Sequence, residues 1–589
     1  MKKLKLICGL FISAMVMMTS CGGGSNERQI ATAPDYIPFQ ANEDGNYGLL
    51  GKDGKVLFTD EFANNISAAY GGIFVQNNEN GLSLYKAQEK PVAIKGCEEL
   101  FDAGVMQEGL MPITKKNERI SFINDDGKVM FTLNPYNGKE IVSVGYFSNG
   151  LAKFELEDGM QGYIDKKGKV VIEPKFNTVY DFQDGVAFVF DKDGKYLMID
   201  KSGKTIKELK GITPFSKYYS GSNSLFPLYT TQWIDGKMLC YDDETERVVA
   251  IDKKGEIVKK YPNGIMVVEF IGDNYIYINK SDGTWGLNNS KDEEIIRPKY
   301  YKLQAIDGNT FLAEKSNREI VIINKDAEVI KELDDYKSAV YYNGVIYGFI
   351  KYNKYELLDT EGNLLSKDEY KISSLSSLWL PCEETCSSDY FNPEELAKKI
   401  ASNINDNGIG KFVVGAEFNV GEPDNYSANT SVIEIINLDK AGLDLNINAR
   451  KGDIKFVVKT GELPAVIYEH DETTYSSYKA FNSDAKISVV NLFTSINANQ
   501  SRKENLNTVI QISKTIVAEL KAKGWAPIAE GKYSCLLTKG NLCCTILLDP
   551  NEIGVTCALA DKAILDAEKI KPEDLKEFDD IIDSKLNEE

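Results

Sequence analysis

The chain reads as a mainly β repeat array of antiparallel sheets followed by an α+β domain, on three observations. A glycine turn follows a short apolar strand at Phe122-Ile123-Asn124-Asp125-Asp126-Gly127-Lys128, again at Tyr163-Ile164-Asp165-Lys166-Lys167-Gly168-Lys169, and again at Met198-Ile199-Asp200-Lys201-Ser202-Gly203-Lys204. A second glycine opens the next strand each time, at Gly109, Gly150 and Gly185. Both series advance by 41 and then 35 residues, and coincident offsets in two separate features mark a structural repeat. Third, beyond about residue 380 the alternating strands give way to capped helices mixed with strands.

In chain order, the first element is a leader. Lys2, Lys3 and Lys5 precede a short apolar run, residues 7–18, too short to cross a bilayer, so residues 1–20 are expected to be a secretory signal. The segment ends at Met18-Thr19-Ser20-Cys21 and resembles a bacterial lipoprotein signal peptide, with Met in place of the family's Leu and Ser in place of Gly or Ala. The resemblance implies lipidation of Cys21 with several acyl chains, a stable anchor where one chain is marginal. Gly22-Gly23-Gly24-Ser25 begins a flexible tether, 21–35, and the lack of Asp after Cys21 favours the outer membrane. No later stretch is long and apolar enough to be a transmembrane helix.

Composition narrows the function classes. The 589 residues allow two to four domains and carry a formal net charge of −20. Loss of the leader removes three lysines and no acids, leaving −23. Such a surface repels nucleic acid and anionic headgroups. His470 is the only histidine, in a loop-like Glu469-His470-Asp471 run with no nucleophile motif beside it. That removes zinc sites built on several histidines and leaves no support for a serine triad. Of ten cysteines, Cys8 leaves with the leader and Cys21 is the lipid acceptor; the rest are expected as disulfides or buried thiols in an exported chain.

The repeat region is placed at 36–380. Within one unit, Val170, Ile172 and Phe176 sit among β-formers, Gly168 supplies the positive φ of the hairpin turn, and Pro174 is expected to mark a strand exit. Weaker copies bring the count to about nine units, each too small to bury its apolar face without a neighbour. The stretch from Gln161 to Ala187 resembles the WG repeat, whose pattern runs Trp-Gly-Tyr-Ile-Asp-x-x-Gly-Lys-Val-Val-Ile-x-Pro-x-Tyr and then Phe-x-x-Gly-Leu-Ala. Here Gln161 stands for Trp, Phe176 for Tyr and Val186 for Leu; Trp285-Gly286 with Arg297-Pro298-Lys299-Tyr300 fits a second time, and Tyr47-Gly48 opens the first unit. The resemblance implies a propeller-like array used for binding or scaffolding.

Two side-chain sets in the array invite a ligand. Asp191-Lys192-Asp193-Gly194, Asp125-Asp126-Gly127 and Glu43-Asp44-Gly45 have the composition of calcium loops but lack the EF-hand spacing, and Asp-Gly is also an ordinary hairpin turn. Calcium is therefore the one cofactor to test. Tyr218-Tyr219, Tyr341-Tyr342 and Tyr352 offer faces for a sugar or peptide, or for packing between sheets.

A linker is placed at 381–392, with Cys382 and Cys386 spaced to close a small loop by a disulfide. The α+β domain follows at 393–589, divisible at 393–499 and 500–589. Asn392-Pro393-Glu394-Glu395 is a helix start. Leu506, Val509, Ile510, Ser513, Ile516, Val517 and Leu520 trace one helical face that Gly524 stops. Three strands are expected at 533–538, 542–548 and 553–559, then acidic helices with Leu575, Phe578, Ile581, Ile582 and Leu586 inward. A Lys539-Gly540 turn would set Cys535 across from Cys544, and a Pro550-Asn551 turn would set Cys544 across from Cys557. One disulfide among the three, or three buried thiols, are the two outcomes.

The expected role is a lipid-anchored binding or scaffold protein whose array meets a protein or glycan. The alternatives are a carboxylate glycoside hydrolase on the same scaffold, for which 88 acidic residues give ample material, and an envelope assembly lipoprotein.

Overall fold

The computed structural model describes residues 34–41, 45–51, 53–79, 81–214, 233, 236–342, 344–352, 354–366, 368–372, 385–416, 426–429, 432–435, 438, 443, 454–460, 486–496, 501–563 and 571–587. The leader, Cys21, Glu43-Asp44, Cys382, His470 and Tyr218-Tyr219 lie outside them. The chain divides into two compact units: residues 1–98, 105–107 and 180–384 form one, and 99–104, 108–179 and 385–589 the other.

The first unit is all antiparallel sheet. A seven-stranded sheet runs in chain order from Ile265–Ile271 to Val329–Glu332, with each strand paired to its successor. Another seven-stranded sheet joins the two ends of the array. Ser338–Tyr342, Val345–Lys351, Lys354–Leu358 and Tyr370–Lys371 continue into Tyr36–Gln40, Tyr47–Gly51 and Val56–Phe62. Its cores are strings of residues from successive strands, such as Ile276, Leu287, Ile296, Leu303, Phe311, Val321 and Ile323.

The second unit holds the repeat strands from Leu100–Ala103 to Val170–Val179 and the α+β domain. Leu151–Leu156, Gln161–Asp165 and Val170–Val179 pair in order, and the last strand runs through Pro174 rather than ending there. A proline is tolerated because the register shifts at that point, so no ladder donor is needed. The short strand Cys386–Ser387, from the expected linker, pairs antiparallel with Ile141–Val144 and buries Cys386 against Phe122, Phe147 and Phe154.

Among the described residues, the α+β domain holds an eight-stranded antiparallel sheet, a two-stranded sheet of Gly408–Ile409 with Phe412–Val413, and three helices. Helix α1, Pro393–Asn403, starts where Asn392 caps it, its side chain accepting from the Glu394 and Glu395 N–H groups. Helix α2, Arg502–Ala522, opens with a Ser501/Glu504 capping box and buries Leu506, Val509, Ile510, Ser513, Ile516 and Leu520. Strand Ala526–Glu530 joins the three expected strands. Helix α3, Pro572–Asn587, buries Leu575 and Ile582, while Phe578 and Ile581 are each 46% exposed. The expectation that both face inward is corrected by what fixes the helix. The Asp579 carboxylate is buried and accepts from the Lys532 and Tyr533 N–H groups, turning those two side chains outward.

Candidate functional site

The repeat is built on one turn used over and over. In seven repeats the side chain of Asn124, Asp165, Asp200, Asp252, Asn289, Asn324 or Asp359 accepts the N–H groups two and four residues on, at 2.7–3.1 Å. The fourth turn residue is left-handed: glycine at 127, 168, 203, 255 and 362, but Asp292 and Ala327 in the other two. Asp191 makes the same two bonds to Asp193 and Lys195. The aspartates considered for calcium at 191 and 125–127 thus lie in self-satisfied turns. Among the described residues, no group of three His, Cys, Asp or Glu is placed to hold a metal.

The glycine of the Trp-Gly pair has a separate reason. Tyr47 faces Phe62, Gln161 faces Phe176, and Trp285 faces Tyr300; two residues later Leu49 faces Phe58, Tyr163 faces Ile172, and Leu287 faces Ile296. Each time, a two-residue step on one strand opposes a four-residue step on the other, a bulge of two. The bulged backbone folds down onto the glycine. A Cβ on Gly162 would lie 2.5 Å from the Ile172 carbonyl oxygen and 2.8 Å from the Pro174 nitrogen; on Gly48 it would lie 2.3 Å from the Phe58 oxygen. The motif is therefore a packing requirement of the sheet.

What the bulge and turn leave outside is the last strand of each repeat. Val56, Val129, Met130, Val171, Ile206, Ile257, Val258, Val329 and Ile330 occupy matching positions there and are 37–56% exposed. The residue after each pair instead packs against a neighbouring turn, since a Cβ on Gly168 would meet Phe131 at 2.7 Å and one on Gly255 would meet Lys207 at 2.7 Å. Sequence reasoning missed this surface because branched apolar residues in a strand read as core. The signal that could have found it is two such residues side by side after Gly-Lys or its equivalent, where one must face water.

The aromatic candidates separate. Tyr342 is buried, and the Tyr341 backbone is held by both ends of the Gln304 amide at 2.8 and 2.9 Å. Tyr352 is 74% exposed at a turn with φ 50°.

Several charged groups in the second unit are paired. Arg119 grips Glu140 through two bonds of 2.6 and 2.9 Å and lies over the Tyr390 ring at 4.6 Å. Glu157 meets the Lys399 Nζ at 3.4 Å, yet burial outweighs that ion pair and pushes its carboxyl above the ordinary range. The Ser387 N–H donates to Asp102 and the Phe391 N–H to the Asn117 side chain, so residues 386–391 are held along their length.

The cysteine registers are corrected by two residues. The turn is Gly540-Asn541, so Cys535 faces Ile546 and Cys544 faces Leu537; on the other side Cys557 faces Ile546 and Cys544 faces Leu559. A four-residue turn at 550–553 causes the second shift. Cys535, Cys544 and Cys557 still share one core, with Cys543 on the opposite face. They are diagonal rather than opposed, and all three are buried free thiols, as is Cys386. Burial pushes the Cys535 thiol up to about 11 and Cys557 up to about 12.

Residues 162–196 match the family model of the WG containing repeat, so the chain carries this repeat. No curated protein matches. Among solved structures, BamB from Moraxella catarrhalis is similar at 10% identity over 51% of this chain and 94% of its own, with a TM-score of 0.28. Apo AztD from Citrobacter koseri is similar at 12% identity over 58% and 96%, with a TM-score of 0.26. TM-scores this low carry no argument, and the array rests on the chain's own strand pairing.

Proposed function

We propose that this chain is an exported, lipid-anchored binding or scaffold protein of the bacterial envelope, held at the outer membrane through Cys21, with its WG-repeat array facing a protein partner. The observation that carries the binding role is the recurrence of exposed branched apolar residues on the last strand of successive repeats. Scattered apolar exposure is ordinary, but within one unit Val56, Ile206, Ile257, Val258, Val329 and Ile330 recur on the same strand of the repeat, and such recurrence makes a contact surface. That surface is aliphatic, which favours a protein over a glycan, whose recognition leans on aromatic faces. The leader and the Met18-Thr19-Ser20-Cys21 box support the anchor.

The test is extraction from membranes in mild detergent, with a Cys21→Ser control and a Val329→Glu/Ile330→Glu variant. The proposal expects a stoichiometric protein that the double glutamate removes, and a Cys21→Ser chain released from the membrane fraction. A clean monomer from wild type would overturn the binding role. A membrane-bound Cys21→Ser chain would overturn the anchor.

A further inference from the structure

The sheet that joins the two ends of the array has one thin seam. Tyr36–Gln40 pairs with Tyr47–Gly51 at five positions on one side. On the other side, among the described residues, it meets Tyr370–Lys371 at a single position, Gln40 opposite Lys371. That two-residue strand in turn meets Lys354 and Tyr355 at two positions. Strand pairs elsewhere in this unit, such as Thr310–Lys315 with Ile320–Asn324, match at five.

Side chains reinforce the asymmetry. Across the seam, Phe39 and Tyr370 meet edge-on at 5.2 Å. The Gly54 turn rests near Leu365, Val345 and Leu357. Beneath it the Tyr347 hydroxyl is buried with no hydrogen-bond partner and feels the charge of Asp53, so the closed seam carries an unmet polar group. The first repeat is bound far more firmly to the second. The Asp35 N–H donates to the Ala69 oxygen at 2.8 Å, the Ala69 N–H to the Tyr36 oxygen at 2.9 Å, and the Gly72 N–H to the Asp35 carboxylate at 3.0 Å. Phe58, Phe62, Phe74 and Tyr85 add a four-ring cluster with centroids 4.8–6.0 Å apart.

We propose that the array opens at this seam as a unit, residues 35–62 staying with the second repeat and parting from 338–371. Opening breaks few of the described backbone bonds, takes the Asp53 charge away from the Tyr347 hydroxyl, and bares the strand edges at 36–40 and 370–371. Local opening of this kind is set by how few buried contacts and backbone bonds hold a segment. The device goes beyond the binding role and does not depend on it.

The test is hydrogen exchange by mass spectrometry on the full mature chain carrying Gln40→Cys and Lys371→Cys. Directly opposed antiparallel residues are within disulfide range. The oxidised form is expected to slow exchange in 36–40 and 370–371 by more than about tenfold over the reduced form, with 310–332 unchanged. No slowing, or equal slowing in 310–332, overturns the proposal. If the disulfide does not form, Tyr370→Ala decides: faster exchange confined to 36–40 and 370–371 supports the seam, and unchanged or uniformly faster exchange overturns it.

Discussion

Replacing Gly162 with Ala separates two accounts of the Trp-Gly motif, because they predict opposite signs. Backbone propensity alone makes glycine within a strand worse than alanine by about 0.5–1 kcal/mol, so the substitution would stabilise. The packing account predicts the reverse. The new methyl would sit 2.5 Å from the Ile172 oxygen, 2.8 Å from the Pro174 nitrogen and 3.0 Å from the Glu173 carbonyl carbon, all backbone atoms. The bulge is pinned at both ends by the Gln161–Phe176 and Tyr163–Ile172 pairs, so it has little room to retreat. Overpacking of this kind costs about 1–3 kcal/mol. For a unit of this size that is a fall in Tm of roughly 2–5 °C. Thermal melting of wild type, Gly162→Ala and Gly286→Ala measures it, with both variants expected to melt lower. A Gly162→Ala chain as stable as wild type, or more so, refutes the packing account.

Three further outcomes follow from the geometry. Ala327→Gly should raise stability by about 0.5–1 kcal/mol in denaturant titration, since Ala327 is held at φ 59° where its sibling turns use glycine. Glu157→Gln should stabilise the chain at pH 7 relative to pH 4. The folded carboxyl is raised, so its favourable neutral form is present below the ordinary pKa and lost as pH rises through the folded value. A drop at pH 7 that shrinks at pH 4 would show that the Lys399 pair outweighs burial. Asp579→Ala leaves the Lys532 and Tyr533 N–H groups without their acceptor and should cost about 1–3 kcal/mol, read by thermal melting. Asp583→Ala, which loses an exposed ion pair with Lys532 and a bond from the Tyr533 hydroxyl, should cost less.

What the sequence made legible was local. The Asp-x-x-Gly turn could be read because its donors, acceptor and left-handed residue lie within five positions, and helix starts at Asn392 and the apolar face of α2 followed the same logic. Features set by distant pairing were hidden. The closing contact joins Gln40 to Lys371, more than 300 residues away, and no local pattern encodes it. The thiol register depended on whether the turn was Lys539-Gly540 or Gly540-Asn541, which composition does not decide. Phe578 and Ile581 followed a plausible helical stripe, but a buried Asp579 carboxylate, bonded to two backbone amides, fixed the rotation of α3. Gly531 permits that approach, since a Cβ there would lie within bonding conflict of the Asp579 oxygen. The exposed pairs on the last strands were visible as residues, and only the pleat and neighbouring turns decided which of them face water.

The most direct test of the binding surface is site-specific photo-crosslinking in the native envelope. A photoreactive residue is placed at Ile206, Val258 or Ile330 on last strands of one unit, and at Tyr352, which is exposed on a turn. The account predicts adducts to one common protein from the three strand positions and none from Tyr352. No adduct from the strands, or the same adducts from all four positions, would contradict it.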